Sequence, residues 1–413
     1  MSPSVKPLPV EKLDMILAQS LDNDFQINHV EWKPLTAAGE NYGSLMLAIT
    51  VTLTRSKNKT ETLNLVAKLP PPTTYLLELF NSPLSFKKEI HFYDAMAKEL
   101  VNLQLECGIK EQDLSILVPK YYGGRLGLKT QEVFDEQAAI VMENIKFTGY
   151  DTQDRIHGLD EKHARFAIDQ LAKMHALVIA LKLKKPQVYQ RIAEIVMAKL
   201  LNETTEKCVG EMIRKTYADI DNIEELKPYV DRVAKTIEYC AQANKNPGDV
   251  EEPWGTLVHS DYWVNNMMYQ HDARGEITDM KIVDFQLCVY DYGVKDLIFF
   301  LMSSLKKELL DSKLNDLIDF YYTCFIKMLK SLKVDTEKFP KRRFDEIMDE
   351  CAPVKFTQCI MMIQVIQAPR GSAPDVQGKT GTDIFGGSTE DETYRQKLMQ
   401  VVKIYDKQGW LSK

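Results

Sequence analysis

Between residues 44 and 69 apolar and polar positions alternate. Leu45, Leu47, Ile49, Val51 and Leu53 fall on one face of an extended chain. After a polar stretch from Arg55 to Lys59, Leu63, Leu65, Ala67 and Leu69 repeat the pattern. A period of two with one apolar face predicts two strands, and the short polar break makes them a hairpin. The period then changes. Phe86, Ile90, Tyr93 and Ala97 recur at three- and four-residue spacing, which predicts a helix over about residues 84–100. Ile116–Lys120 and Ala138–Glu143 read as two further strands.

After Tyr150 the helical period dominates. Asp160 suits an N-cap, with Glu161 favourable in the first turn. Ala164, Ile168, Leu171, His175 and Val178 follow as an apolar stripe. Residues 187–244 are helical in pattern, and strand-like runs return between Thr256 and Val289. Helical signals resume from Lys295 to about Ile366, residues 369–391 read as a long Gly-, Ser- and Asp-rich loop, and a last helix covers about 391–408. No internal repeat is visible. The pattern predicts an α+β fold: an antiparallel-sheet unit over 1–143 and a mostly helical unit over 144–413.

Composition narrows the function. With 413 residues and a net charge of −7, the chain is long enough for two packed units and has no global attraction for nucleic acid. The basic runs at Lys182, Lys184, Lys185 and at Lys341, Arg342, Arg343 are short enough to be solvated faces. No apolar run is long enough to span a bilayer, so no membrane partner is expected. The N-terminal decapeptide, with three prolines, is not a secretory signal. Seven scattered cysteines form no CxxC pair, which suits a reducing, cytoplasmic setting rather than disulfides or zinc. No obligate protein partner is evident.

The chemistry concentrates in His259-Ser260-Asp261-Tyr262-Trp263-Val264-Asn265-Asn266 and, after a turn near Gly275, Lys281-Ile282-Val283-Asp284-Phe285. A hairpin centred at Gly275 sets residue 266 opposite 284, with both side chains on one face. An Asn oxygen beside a carboxylate is a hard-oxygen pair suited to Mg²⁺, with phosphate oxygens completing its shell. Asp261 precedes that hairpin and can take the proton of an attacking hydroxyl, while His259 orients the loop. A loop base, an Asn on metal and a strand-end Asp on metal are the phosphoryl-transfer parts of two-lobed, protein-kinase-like folds.

Upstream residues fit a nucleotide lobe. Lys68 lies on the strand face opposite Leu63, Leu65 and Leu69, where it can reach ATP phosphates. Glu89 on the following helix can pair with it. Gly39, Asn41, Tyr42 and Gly43 form a glycine turn just before the first strand, and its backbone N–H groups can cover phosphates. Each feature alone is common; a strand lysine is usually a solvated edge and a GxxxG a plain turn. Their order along the chain carries the inference.

These segments resemble the insect ecdysteroid kinase-like (CHK kinase-like) family, which is related to choline kinases and aminoglycoside phosphotransferases. The resemblance rests on GENYGS at 39–44, LVAKLP at 65–70, FKKEIHFY at 86–93, VMEN at 141–144, LAKMHA at 171–176, HSDYWVNNMMY at 259–269 and KIVDFQLCVYDYGVKDLIFFL at 281–301. It implies that Asp261 is the catalytic base, that Asn266 and Asp284 bind magnesium, and that Lys68 and Glu89 orient the phosphates of ATP. It further implies that Met142, Glu143 and Asn144 form the adenine hinge. The family usually has Gly where this chain has Ser260, and often Ala where it has Gly43.

Asp284 is followed by Asp296-Leu297-Ile298-Phe299 only twelve residues later, and no Ala-Pro-Glu follows. That leaves no room for the peptide-docking loop of protein kinases. The expected acceptor is therefore a small-molecule alcohol, by resemblance an ecdysteroid or a xenobiotic alcohol, approached from the helical side. The loop at 369–391 is a candidate lid. A kinase-fold binding protein without turnover is the alternative, and the intact set Lys68, Asp261, Asn266 and Asp284 argues against it. A metal-dependent phosphohydrolase using His259, Asp261 and Asp284 lacks the extra ligands such sites gather.

Overall fold

The computed structural model describes residues 9–22, 24–35, 43–55, 59–130, 132–200, 202–368 and 391–413. Gly39, Asn41, Tyr42 and the expected lid, apart from Asp391, lie outside the described residues. Helix α1 is Leu13–Leu17. Five strands follow: β1 Phe25–Pro34, β2 Leu45–Arg55, β3 Lys59–Leu69, β4 Tyr121–Arg125 and β5 Ala139–Glu143. They form one antiparallel sheet in the order β1-β2-β3-β5-β4.

The alternation read from the sequence is the two-sidedness of this sheet. Leu47, Ile49, Val51, Leu53, Leu65 and Ala67 face α1 in one buried cluster. Ile140 and Met142 face the other way, against Phe86 and Met96 of the helical layer. β1 escaped the sequence reading because its apolar residues Phe25, Ile27, Val30 and Trp32 are only partly buried, and a register shift after Ile27 breaks their alternation. The strand expected at Ile116–Lys120 is not one. The Leu117 carbonyl accepts from Ile282 N (2.7 Å) and the Ile116 carbonyl from Lys281 Nζ, so this stretch is tied to the distant hairpin. The sheet strand begins at Tyr121 and contains Gly123, where a Cβ would lie 2.3 Å from the Ile16 carbonyl oxygen. A Tyr-Tyr-Gly-Gly-Arg string reads as a turn, but here the missing side chain admits α1 against the strand.

The expected helix forms and runs longer. Helix α2 is Thr74–Leu79, α3 is Ser82–His91 and α4 is Ala97–Glu106; a π-turn at Phe92–Met96 joins α3 to α4. The remaining helices are α5 Glu161–Lys184, α6 Pro186–Val196, α7 Glu203–Asn222, α8 Val230–Lys245, α9 Val294–Ser304, α10 Lys307–Ser331, α11 Lys341–Ile366 and α12 Glu392–Lys407. Asp160 caps α5, its side chain accepting from His163 N. Between α8 and α9 lie β7 Gly255–Val258, β8 Met267–His271, β9 Ile277–Ile282 and β10 Val289–Tyr292. β7 pairs with β10, and β8 with β9 and with β6 (Tyr150–Asp151). The protein is thus a two-lobed α+β fold, a sheet lobe followed by a helical lobe. One large buried cluster runs from Phe86 and Ile140 through α5 to α9, so the lobes share a core beneath the β8–β9 hairpin.

Candidate active site

The loop between β7 and β8 carries His259, Asp261 and Asn266. Its shape is held by side-chain to backbone bonds. Buried His259 accepts from Asp261 N at Nδ1 (3.3 Å) and donates from Nε2 to the Val283 carbonyl (3.1 Å), so one neutral imidazole ties the loop to the end of β9. Burial holds this ring below its ordinary pKa, against the pull of Asp296 and Asp284. Asn266 donates from Nδ2 to both the backbone oxygen and Oδ2 of Asp261 (2.9 Å each). Its amide oxygen is left as the hard donor. Burial, reinforced by the nearby charge of Asp284, pushes the Asp261 carboxyl up to about 7. The Trp263 indole N–H faces that carboxylate and pulls the other way, yet it falls outside bonding geometry and stays without a partner.

The register of the hairpin differs by one from the expected alignment. Met267 pairs with Ile282, and Val283 N donates to the Asn266 carbonyl (3.1 Å), so Asn266 stands opposite Val283, not Asp284. The turn is centred on Arg274, where His271 pairs with Ile277 and Asp272 N donates to the Glu276 carbonyl, and a register shift between Gln270 and His271 recovers only part of that offset. Asp284 reaches the site another way: its φ of 70° turns the chain sharply at the strand end.

There Asp284 meets the sheet lobe. Lys68 Nζ donates to Glu89 Oε2 (2.6 Å) and to Asp284 Oδ1 (2.7 Å). Gln286 adds to this contact, donating to Asp284 Oδ2 (3.2 Å) and accepting from Lys68 (3.4 Å). Burial alone would depress the ammonium, but Asp284 and Glu89 outweigh it and hold Lys68 above its ordinary pKa. Burial pushes the Glu89 carboxyl up, against the pull of Lys68. Lys68 and Glu89 are 216 and 195 residues from Asp284 in the chain, and β3, α3 and the β9 end bring all three together. The π-turn helps: it places Phe92 flat on Phe285 (3.6 Å between ring centres) and the Tyr93 hydroxyl within 3.3 Å of Asp284 N. Such turns inside helices are frequent at functional sites.

Gly43 sits beside this cluster; a Cβ there would lie 3.4 Å from both Gln286 Nε2 and Phe80, which leaves room for Ala. Met142, Glu143 and Asn144 end β5 beside β3, and the Met142 side chain is buried in the core. The N–H groups of Glu143 and Asn144 are engaged by the Lys120 and Asn64 carbonyls (2.8 and 2.9 Å).

Sequence reasoning missed Asp296. Fully buried in α9, it accepts from the backbone N–H of His259 (2.6 Å) and of Ser260 (2.8 Å), and from His175 Nε2 (3.3 Å). Burial alone would raise its carboxyl, but the His175 bond and the charges around it keep it below its ordinary value. His175 leans in turn on the Tyr321 hydroxyl (2.6 Å). An aspartate heading the apolar run Leu297–Met302 was the available signal, because a carboxylate so placed must find buried donors. Ser260 has φ 68°, the left-handed region, which is the physical reason glycine suits this position.

Among the described residues no three His, Cys, Asp or Glu side chains converge as a metal site. Two protein oxygens, from Asn266 and Asp284, fit an ion that takes most of its shell from phosphates and water.

The sequence profile of the ecdysteroid kinase-like family matches residues 38–334. No curated protein matches the chain. Among solved structures, Plasmodium vivax ethanolamine kinase aligns at 11% identity and a TM-score of 0.41, covering 92% of this chain and 83% of that one. Amicoumacin kinase hAmiN in complex with AMP-PNP, Ca²⁺ and Ami aligns at 13% identity and a TM-score of 0.41, covering 91% and 88%.

Proposed function

The chain belongs to the ecdysteroid kinase-like family, and from that premise we propose that it transfers the γ-phosphoryl group of ATP to a hydroxyl of a lipophilic small molecule, an ecdysteroid or a xenobiotic alcohol. The observation that carries this reading is the buried contact of Lys68 with Glu89 and Asp284 at 2.6 and 2.7 Å, in one site with the Asp261–Asn266 pair. A cation held by two carboxylates at the meeting of two lobes is built to orient phosphates.

In this reading residues 1–143 hold the nucleotide, with Met142, Glu143 and Asn144 along the adenine and Gly43 near the phosphates. Asn266 and Asp284 would hold Mg²⁺, which when bound neutralises phosphate charge. Lys68, kept in place by Glu89, donates to the phosphates. Asp261 accepts the proton of the acceptor hydroxyl as its oxygen attacks, and its raised pKa suits a base working near neutral pH. His259 and Asp296 keep Asp261 aimed. All seven cysteines are free and buried, and among the described residues no helix is long and apolar enough to cross a membrane; both fit a cytoplasmic setting.

The test is a panel of ecdysteroids and simple alcohols incubated with isotopically labelled ATP, with mass detection of phosphate adducts. A labelled monophosphate ester is expected. Nucleotide stabilisation without product across the panel would instead support a binding protein.

A further inference from the structure

The loop that carries Asp261 is also held from a helix far along the chain. Gln358, on α11, donates from Nε2 to the Ser260 carbonyl (2.6 Å), the oxygen of the peptide that joins Ser260 to Asp261. The N–H end of the same peptide donates to His259 Nδ1 at 3.3 Å, a longer and weaker bond. One peptide earlier, the Ser260 N–H donates to Asp296 Oδ1 (2.8 Å) on α9. Ser260 is therefore clamped between two helices, and Gln358 makes the short bond to the peptide that leads into the base.

Backbone sterics make this clamp necessary. Ser260 sits at φ 68°, where a residue with a Cβ is disfavoured by a factor of about 5 to 30 against its ordinary conformations. Released, the Ser260–Asp261 peptide would rotate toward the right-handed or extended regions, and the Asp261 side chain would turn with it. Glycine would keep the left-handed form unaided. Serine needs outside contacts, and Asp296 and Gln358 supply them at its N–H and its C=O.

The Gln358 amide works in one orientation. Its Oε1 accepts from Lys355 Nζ, one turn earlier on α11. Turned over, the amide would set its oxygen against the Ser260 carbonyl and its NH₂ against the lysine donor, and both bonds would be lost. Helix α11 is a stiff support for it. Phe356, Cys359, Ile360 and Ile363 are buried in the main core, and the helix packs on α9, which carries Asp296. Helix α11 lies wholly beyond the family match, which ends at residue 334.

We propose that Gln358 is a positioning residue for phosphoryl transfer: its N–H, aligned by Lys355, fixes the Ser260–Asp261 peptide in the rotation that aims the Asp261 carboxylate at the acceptor hydroxyl. Gln358 acts through the backbone of the base and not on the reacting atoms. The inference rests on the phosphotransferase reading and adds a residue to it.

Two variants remove the donor in different ways. Gln358→Glu keeps the size of the side chain and its contact with Lys355 but, ionised, has no N–H to give. Gln358→Leu removes both contacts, and either variant serves if the other does not fold. Each is made alone and together with Ser260→Gly. Amide hydrogen exchange across residues 257–266 is read on the full chain without nucleotide. Phosphorylation kinetics use the alcohol of the panel that gives most phosphate ester. Either variant alone should speed exchange in this loop and lower kcat about tenfold, the scale of the left-handed penalty, with KM for ATP within about twofold of wild type. In the Ser260→Gly background the same change should cost less than about threefold, because glycine holds the conformation by itself. A contact that only supports the fold would lower stability without this dependence on residue 260. Unchanged loop exchange and kcat would overturn the proposal. So would a kcat loss of equal size in the two backgrounds, or a rise in KM for ATP as large as the fall in kcat. Faster loop exchange in the variants, with no phosphate ester formed by wild type from any alcohol, would leave the clamp standing and overturn the phosphotransferase reading.

Discussion

Replacing Asp261 with asparagine should slow phosphate transfer and stabilise the unliganded fold, and both effects have one cause. Asp261 is desolvated beside Asp284, its side-chain partner is the neutral amide of Asn266, and its carboxyl is pushed from 3.8 to about 7. The folded chain therefore holds this proton more tightly than the unfolded chain. Stability falls as pH rises from about 4 to about 7, and above that the full cost of the buried charge is present. At 1.36 kcal/mol per factor of ten the ceiling is about 4 kcal/mol. Partial exposure of the carboxylate brings this to about 2 kcal/mol. Asparagine carries no charge and avoids the cost. With an unfolding entropy of about 2.1 cal/mol/K per residue, the gain corresponds to a rise in Tm of about 2 to 5 °C. The assay is thermal unfolding of both proteins without nucleotide and with chelator, from pH 5 to 8.5. The variant's advantage should be largest above pH 7 and less than half as large at pH 5. Turnover of the variant should fall by about 10² to 10⁴, the usual worth of a positioned base, while MgATP still stabilises it. An advantage that does not change with pH would refute the electrostatic account, and near-normal turnover in the folded variant would refute the role.

Four further outcomes follow from the same geometry. Asp284→Ala should lose the thermal stabilisation that MgATP confers, about 2.7 kcal/mol at a hundredfold excess over Kd, and chelator should mimic it in wild type; full protection of the variant would remove Asp284 from the metal site. Trp263→Phe removes an indole N–H dipole that faces the Asp261 carboxylate without bonding it, so the acid limb of kcat/KM should move up; an unmoved limb would show that this dipole does not act on Asp261. Ser260→Gly should raise stability by up to about 1 kcal/mol in thermal melts by relieving the left-handed backbone, and a clear loss would contradict the φ of 68°. Asp296→Asn leaves two loop N–H groups facing a weaker acceptor, so kcat should fall about 10- to 10³-fold with ATP affinity retained; equal loss in both would point to general unfolding.

Local pattern was enough for much of this protein. Alternation along 45–69 reported the β2–β3 hairpin because one sheet face is fully buried and the strands carry that period in their side chains. The 3.6-residue stripe of α5 and its Asp160 cap were equally legible, since capping and amphipathicity are written within a few residues. The candidate site could be proposed from the sequence because phosphoryl transfer needs particular residue types at short spacing; the fold brings Lys68 and Glu89 to Asp284 and pairs Asn266 with Asp261. What the sequence could not carry were facts that depend on distant partners. The one-residue slip that sets Asn266 opposite Val283 comes from a turn centred on Arg274, only partly offset by the register shift at Gln270 and His271. Gly123 pairs with Val141 in the sheet, and its lack of a side chain has a reason only once α1 is seen to lie against it. Asp296 looks like any charge at a helix start until the fold buries it under the amides of His259 and Ser260. Gln358 has no motif at all. Its place beside the Asp261 loop follows from where α11 crosses that loop, a matter of packing between elements about 100 residues apart, which no local period encodes.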